Sequence, residues 1–283
     1  MQENSSLSSS RPARYVLGRS QGEYDRLMFQ ARMLRPYTEK YFRMAELAPG
    51  MRVLDLGSGM GDVALLAGEI VGPHGAVLGV DRDAAALVRA RQRAREHACS
   101  SWVSFQQSEL EDFSSTQQFD AIVGRLVLLY QRDAAATIRK MMRFLKPGGI
   151  VLFHELDFNE SRASWPRCEL WDQVVGTVAE AFRRSGAPPD FGRRLGKVYL
   201  DAELGFPTIV GDALVGVGHS SPLYHWIGTT LVSISPRLAY LGLSLPATVV
   251  ADSSLAAKLE EATVTARSQV TAGTQFGAWA RKL

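Results

Sequence analysis

The chain has 283 residues, of which 46% are hydrophobic and 22% charged, a composition that excludes a disordered or fibrous protein. Its 32 basic and 29 acidic residues leave a formal net charge of only +3, too little for a surface that neutralises nucleic-acid phosphates. Two cysteines are too few for a disulfide framework or a four-ligand zinc site, and no apolar run is long enough to cross a membrane.

The N-terminal sequence is polar and lacks the apolar stretch of a signal peptide, so we expect a reduced, cytoplasmic protein. Residues 1–12 offer little to bury and are predicted to form a disordered tail. From 13 to 48 the apolar residues recur at helical spacing, and Pro36 is predicted to divide this stretch into two helices.

Short apolar runs alternate with helical segments between residues 49 and 160. Five such runs begin at Val53, Ala76, Trp102, Phe119 and Ile150. Short buried runs of this kind, separated by helices, are typical of parallel strands with helices on both faces. We therefore predict an α/β, doubly wound sheet.

The pattern changes after about residue 159, where helical stripes precede a strand-like run over 208–217. Residues 222–272 are predicted to be mainly helical, and the chain closes on a short aromatic segment over 275–280. Residues 161–283 are thus predicted to supply the last strands of the same sheet, together with a helical substrate cap over about 222–272.

A glycine-rich turn, 57–61, follows the first apolar run, where glycines permit a sharp bend and the close approach of a ligand. Asp81 ends the second run, where a carboxylate accepts both hydroxyls of a ribose. A dinucleotide-binding turn would have its third glycine at position 62, but that residue is Asp. Asp55, just before the turn, disfavours a pyrophosphate and suits a phosphate-free ligand with an amino group, such as S-adenosylmethionine.

These features resemble the class I S-adenosylmethionine-dependent methyltransferases, and more narrowly a bacterial branch that acts on small molecules. The resemblance extends over nearly the whole chain from Tyr15. Besides the glycine turn it involves the segments 15–18, 26–31, 80–83, 105–110, 119–128, 145–150 and 278–281, with Glu155. It implies a mostly parallel, seven-stranded Rossmann-like sheet, N-terminal lid helices over 13–48 and a cofactor-binding core over 49–160.

The resemblance also implies S-adenosylmethionine as cofactor and S-adenosylhomocysteine as product. By this resemblance, Asp81 binds the ribose hydroxyls, and Asp55 lies at the methionine half of the cofactor. Glu109 occupies the position at which the family usually has an aspartate that binds the adenine amino group. The residues that the resemblance assigns to the cofactor are Tyr15, Tyr24, Gln30, Asp55, Gly57, Gly59, Asp81, Arg82, Glu109, Leu110 and Arg125.

A sulfonium methyl is already activated, so such an enzyme mainly aligns nucleophile, carbon and sulfur away from water. The candidate catalytic groups are Tyr24 and two residues at the end of the fifth run, Glu155 and His154. Glu155 ranks above His154 because the related family has an acid at that position. Candidate acceptor contacts are the ring-bearing residues Phe29, His219, Tyr224 and Trp226.

We therefore predict methyl transfer to a small-molecule acceptor, a secondary metabolite of aromatic or alkaloid-like character, with O-, N- and C-methylation all left open. The alternatives are an NAD(P)-dependent oxidoreductase, which would need glycine at position 62, and a non-catalytic cofactor-binding protein. A nucleic-acid methyltransferase is disfavoured by the small charge and by the lack of an Asn-Pro-Pro-Tyr or Asp-Pro-Pro-Tyr motif after the fourth run. Neither a metal nor a membrane or nucleic-acid partner is predicted, and a homodimer is left open.

Overall fold

A computed structural model describes residues 21–158 and 163–283, so the predicted tail over 1–12 and Tyr15 lie outside the described residues. Helix α1 (Gln21–Met44) runs through Pro36 without interruption, so the predicted division into two helices is wrong. A proline inside a helix removes one backbone hydrogen bond. Here the flanking residues Leu34, Tyr41 and Phe42 are at most 1% exposed, and their burial holds the helix together across that position.

The predicted parallel sheet is confirmed, with the order β3-β2-β1-β4-β5 in its first half. Its strands are β1 (Arg52–Leu56), β2 (Ala76–Asp81), β3 (Val103–Gln107), β4 (Phe119–Arg125) and β5 (Leu145–Asp157). The helices between them are α2 (Asp62–Val71), α3 (Ala84–Glu96) and α4 (Ala134–Met141). All neighbouring pairs among these strands are parallel, so their carboxyl ends lie along one edge.

The second half adds three strands, which makes eight in the described chain where the resemblance implies seven. They are β6 (Ser164–Trp165), β7 (Thr208–Val217) and β8 (Gln269–Arg281). Strand β8 pairs antiparallel with β5, β6 and β7, and β6 is only two residues long. The prediction for 208–217 is confirmed to the residue, whereas β8 begins at 269, inside the segment predicted to be mainly helical.

Helices of the second half are α5 (Glu169–Ser185), α6 (Leu195–Asp201), α7 (Pro222–Ile234) and α8 (Leu255–Thr265). Helices α7 and α8, with short 3₁₀ turns between them, occupy the segment for which a cap is predicted, and we refer to them as the cap. Helix α7 packs against α1, α5 and α8. Among the described helices, none combines the length and the apolar character that a membrane span requires.

Both faces of the sheet are covered by apolar side chains. Val53 and Leu54, neighbours in β1 that are both 0% exposed, belong to two different core clusters because successive strand residues point to opposite faces. The cluster that contains Leu54 continues into Trp171 of α5 and Trp226 of α7. The cap therefore shares its hydrophobic core with the sheet.

Candidate cofactor and acceptor site

A cavity of about 340 Å³ lies at the carboxyl ends of β1, β2 and β4, beneath α1 and α7. Its volume falls within the range of small-molecule sites, and this edge of a doubly wound sheet is where ligands bind. The glycine turn and Asp81 line one part of it. Side chains of α1 and α7, among them Gln30 and Trp226, line another part.

The glycine turn has a backbone that only glycine adopts readily. Gly57, Gly59 and Gly61 have φ values of 66°, 50° and 83°. A Cβ on Gly57 would lie 2.6 Å from Val127 Cγ2, so side-chain packing also excludes a larger residue there. A Cβ on Gly59 would meet no atom within 4 Å, which leaves the backbone of this cavity-lining residue open to a ligand.

Asp81 holds the glycine turn from the end of β2. Its Oδ2 accepts a hydrogen bond from the Gly59 amide at 2.8 Å, and its Oδ1 accepts one from the Asp83 amide at 2.8 Å. A carboxylate has about four lone-pair positions, so each oxygen keeps one for a ligand hydroxyl. The structure thus places Asp81 at the cavity, where the sequence predicts it.

Asp55 lies beneath this turn rather than in the cavity wall. It is 0% exposed, and neither carboxylate oxygen makes a hydrogen bond in the described structure. Burial raises the pKa of this carboxyl well above its ordinary value, and the negative Asp81 adds to the effect, while the positive Arg125 opposes it. Buried carboxylates normally have partners, so an unpartnered one beside a cavity indicates a positively charged ligand group. The Ser58 hydroxyl, in the cavity wall, is likewise buried without a partner.

The charges around the turn favour a cationic ligand over a phosphate. Asp62, the residue that replaces a dinucleotide-type glycine, forms an ion pair with Arg93 at 2.8 Å. Burial lowers the pKa of Arg125, although Asp62 and Asp55 counteract this. Asp62 and Asp81 both line the cavity beside the turn, where carboxylates would repel a pyrophosphate.

The residues predicted to contact the adenine line one part of the cavity. Arg82 and Glu109 both line the cavity, 4.0 Å apart, with about half of each side chain exposed, so their mutual attraction is weak. Leu110, the next residue, also lines the cavity and is nearly buried. Tyr24 of α1 also lines the cavity, and the guanidinium of Arg89 lies 4.1 Å from its ring centre.

Helices α1 and α7 meet over the cavity through a buried polar network. Arg26 donates from Nε to Glu23 Oε2 at 2.9 Å and from Nη2 to Glu23 Oε1 at 2.7 Å. Its third nitrogen, Nη1, donates to Gln30 Oε1 at 2.9 Å, and Trp226 Nε1 donates to the same oxygen at 3.1 Å. Ser233 Oγ donates to Glu23 Oε2 at 2.6 Å. Gln30, predicted as a cofactor contact, is therefore attached to the cap.

Beside this network the cavity wall is aromatic and apolar. The Trp226 ring lies 5.5 Å from the ring of Phe158, and Phe158 lies 6.0 Å from Phe182. All three residues line the cavity, together with Pro188 and Pro189. Such a wall suits a planar, apolar molecule.

The two predicted catalytic residues of β5 do not line the cavity. Glu155 is fully buried, and its Oε1 accepts hydrogen bonds from the amides of Val127 at 3.0 Å and Leu128 at 2.8 Å. Burial raises its pKa to about 8 despite these bonds. In this position Glu155 holds the chain that follows β4, while Tyr24 is the predicted catalytic residue that does line the cavity.

His154 lies within the fold between Thr38 of α1 and Gln275 of β8. Its Nδ1 is 2.9 Å from Thr38 Oγ1, and its Nε2 is 2.9 Å from Gln275 Oε1. Burial and the neighbouring Arg125 lower the pKa of His154 to about 3, so the ring is neutral. Arg125 itself donates to Thr38 Oγ1 at 3.2 Å, so this buried chain of hydrogen bonds holds a cavity-lining guanidinium.

Of the predicted acceptor contacts, Trp226 lines the cavity and the other three lie elsewhere. Phe29 packs on His225 with ring centres 4.4 Å apart, and the Tyr224 hydroxyl donates to the Gly218 carbonyl at 2.9 Å. His219 is largely exposed and lies 3.0 Å from Glu260. These aromatic groups stabilise the cap and its surface, so the inference from aromatic content to acceptor contact does not hold for them.

Sequence reasoning missed several cavity residues. Arg26 lies four residues before the predicted contact Gln30 on α1, a spacing that places both on one helix face and could have indicated it. Thr230 of α7, also missed, is remote from Arg26 in sequence. The other cavity-lining residues left unassigned include Ser58, Asp62, Tyr130, Phe158, Phe182, Pro188 and Pro189.

The chain is similar to known methyltransferases. Residues 47–182 match the family model of a methyltransferase domain. The chain is 35% identical over 128 residues to the arsenite methyltransferase of Aquipseudomonas alcaligenes, a match that covers 41% of this chain and 37% of that protein. It is also 35% identical over 132 residues to the ubiquinone/menaquinone biosynthesis C-methyltransferase UbiE of Xanthomonas oryzae, covering 46% of this chain and 51% of that protein. The chain thus spans about half or less of the length of these curated relatives.

The fold is likewise shared with a solved structure. A SAM-dependent methyltransferase from Aquifex aeolicus matches with a TM-score of 0.50 and 16% identity, over 87% of this chain and 89% of that one. That likeness concerns the fold alone. On this combined basis, the chain carries a methyltransferase domain over residues 47–182 and has the fold of a SAM-dependent methyltransferase.

Proposed function

We propose that this protein transfers a methyl group from S-adenosylmethionine to a small, mainly apolar acceptor bound between α1 and α7. The observation that carries the proposal is the composition of the cavity. One part has a glycine turn, Asp81 and the unpartnered carboxylate of Asp55 beneath it, and another has an aromatic wall around Trp226. A charged, hydroxyl-rich cofactor and an apolar acceptor need these two environments in one enclosure.

The residues present fit the cofactor. Asp81 would accept the ribose hydroxyls, and Asp55 with Arg125 would attract the ammonium and carboxylate groups of the methionine part. Arg82, Glu109 and the Leu110 backbone would flank the adenine. When bound, S-adenosylmethionine supplies an electrophilic methyl group on a sulfonium sulfur.

The chain's own contribution is alignment and the exclusion of water. Helices α1 and α7 cover the cavity, and the network of Glu23, Arg26 and Gln30 joins them. Among the described cavity-lining residues there is no histidine, and the carboxylates come from α2, from the end of β2 and the chain after it, and from the chain that follows β3. We therefore propose an acceptor whose nucleophilic atom needs little help from a base, with the hydroxyl of Tyr24 as the remaining candidate for a proton-transfer role.

A planar ring is the acceptor class that the cavity favours, in line with the predicted aromatic metabolite. One relative is named for arsenite and others for quinones. Arsenic(III) is a soft acceptor that prefers thiolate ligands. Cys99 and Cys168 are both buried, and neither lines the cavity. The wall of Trp226, Phe158 and Phe182 supports a ring instead.

The test is a methyl-transfer assay with S-adenosylmethionine labelled in its methyl group. The protein is incubated with 1,4-dihydroxynaphthalene under reducing conditions or, in parallel, with arsenite. We expect label to enter an organic-extractable product only with the naphthalene compound, and to be lost in Asp81→Ala. Transfer to arsenite alone would contradict the ring acceptor. Cofactor binding without transfer to either compound or to a wider panel of ring compounds would favour a non-catalytic binding protein.

A further inference from the structure

The orientation of the Gln30 side-chain amide is determined by its partners. Arg26 Nη1 and Trp226 Nε1 both lie within hydrogen-bond distance of one amide atom, at 2.9 and 3.1 Å. Both groups are donors without acceptor capacity, so the atom they share must be the oxygen Oε1. The amide nitrogen Nε2 is therefore on the other side, with two N–H groups that no described residue accepts. Gln30 lines the cavity, so these donors are available to a ligand.

A buried ion pair holds this amide in place. The side chains of Arg26 and Glu23 are 2% and 1% exposed, and two nitrogens of the guanidinium bind the two carboxylate oxygens. Glu23 thus neutralises Arg26, which makes the guanidinium a support for Gln30 rather than a site for an anion. The group of this network that lines the cavity as a hydrogen-bond donor is therefore the uncharged Gln30 amide.

The hydrogen bonds of Gln30 go to Arg26 and Trp226, and none goes to the described residues expected to hold the amino-acid part of the cofactor. Thr38, eight positions further along α1, accepts a hydrogen bond from Arg125, the cation that opposes Asp55. At 1.5 Å per residue, the helix separates the two positions by about 12 Å. Gln30 is instead bonded to Trp226, whose ring faces Phe158. The amide therefore belongs to the aromatic part of the cavity.

We propose that Gln30 is a specificity-determining residue that donates a hydrogen bond from Nε2 to a carbonyl or hydroxyl oxygen of the acceptor. This inference rests on the proposed function and narrows the acceptor to a neutral, planar ring compound that carries such an oxygen. A carboxylate oxygen of the cofactor has the same hydrogen-bonding chemistry, and the experiment distinguishes the two sources.

The experiment compares two probes that differ by one oxygen, 1-naphthol and naphthalene. Each is titrated into the full-length protein saturated with S-adenosylhomocysteine, and the affinity for S-adenosylhomocysteine is measured separately. We expect wild type to prefer 1-naphthol and Gln30→Ala to weaken its binding about tenfold, because a buried donor–acceptor bond is lost. Binding of naphthalene and of S-adenosylhomocysteine should change less than about twofold.

Two further variants make the result interpretable. The Trp226→Phe variant keeps an aromatic ring but loses the indole N–H, one of the two donors that orient the Gln30 amide. It should reduce the preference for 1-naphthol about threefold. This variant tests the proposal even if Gln30→Ala does not fold. Gln173→Ala removes a glutamine from the exposed side of α5 and should change nothing.

Several results would overturn the proposal. If Gln30→Ala weakens binding of S-adenosylhomocysteine and leaves the preference for 1-naphthol intact, the amide serves the cofactor. If wild type does not distinguish the two probes, the cavity has no oxygen-recognising donor. Failure of wild type to bind S-adenosylhomocysteine at all would instead refute the proposed function itself.

Discussion

Replacing Asp55 with asparagine is expected to change two measurable quantities in opposite directions. In the free protein the ionised carboxylate is buried without a hydrogen-bond partner, and its raised pKa means that the attraction of Arg125 does not compensate for burial. A carboxyl with a raised folded-state pKa binds protons more tightly when folded. Wild type therefore loses stability as the pH rises above the ordinary carboxyl pKa of about 4. The Asp55→Asn variant has no ionisable group at this position and does not lose stability in this way. Its stability relative to wild type should therefore increase with pH.

The affinity for the cofactor should fall in the same variant. The ligand ammonium group would lose its electrostatic attraction to the carboxylate beneath the turn, an effect of about 1.5–3 kcal/mol. That corresponds to a loss of about 10- to 100-fold in affinity for S-adenosylhomocysteine. The free energy of unfolding of the ligand-free Asp55→Asn variant, measured in urea at pH 4 and pH 8, should meanwhile exceed that of wild type by more at the higher pH.

Asp120→Asn is the matched control, an aspartate of β4 outside the cavity wall. Burial raises the pKa of Asp120, but hydrogen bonds from Lys146 and from the Arg52 amide outweigh it and lower the pKa overall. Asp120 thus stabilises the folded state above the ordinary carboxyl pKa, and its replacement should reduce stability and leave affinity unchanged. The reasoning is refuted if Asp55→Asn is less stable than wild type at pH 8, or binds S-adenosylhomocysteine equally well.

Three further outcomes follow from the contacts of the site. Asp81→Ala should weaken S-adenosylhomocysteine binding by roughly 30-fold or more, and should also destabilise the free protein by about 1–2 kcal/mol in urea melts because two turn hydrogen bonds are lost. Unchanged stability would contradict its role in the turn. Glu155→Gln should match wild type in stability near pH 4 and exceed it increasingly up to about pH 8, because the buried carboxyl stays protonated in the folded chain over a pH range in which the unfolded chain ionises. Its kcat should stay within about threefold, whereas a general base would cost at least about 100-fold. Bound S-adenosylhomocysteine should slow amide hydrogen exchange in α1 and, once an acceptor is added, in α7; exchange that is equally slow in the free protein would show that these helices are fixed rather than a closing lid.

The sequence predicted those parts of the fold whose apolar residues form a recognisable pattern within a short segment. Parallel strands buried on both faces appear as short apolar runs, and 208–217 is recognisable for the same reason. Strand β8 was not predicted in full because its 13 residues include Gly273 and Gly277 and follow a helix closely. Its partners β5 and β7 are distant in sequence. At Pro36 the local sequence predicted a break between two helices, but tertiary packing keeps the helix continuous.

The same distinction applies to the candidate site. Asp81 and the glycines of the turn are at strand ends, and a motif of adjacent residues identifies them. The wall over the cavity depends on Arg26 with Thr230 and Gln30 with Trp226, pairs that are 204 and 196 residues apart. Periodicity cannot reveal contacts of that kind. It also cannot show that Glu155 and His154, at the correct strand end, point into the protein rather than the cavity.

Calorimetric titration with S-adenosylhomocysteine and with NAD and NADP tests the central claim most directly. Asp62 in place of a glycine, and the carboxylates around the turn, disfavour a pyrophosphate and favour a cationic, phosphate-free ligand. We expect one S-adenosylhomocysteine to bind per chain in the micromolar range and neither dinucleotide to bind measurably. Absence of S-adenosylhomocysteine binding, or tighter binding of either dinucleotide, would contradict the account.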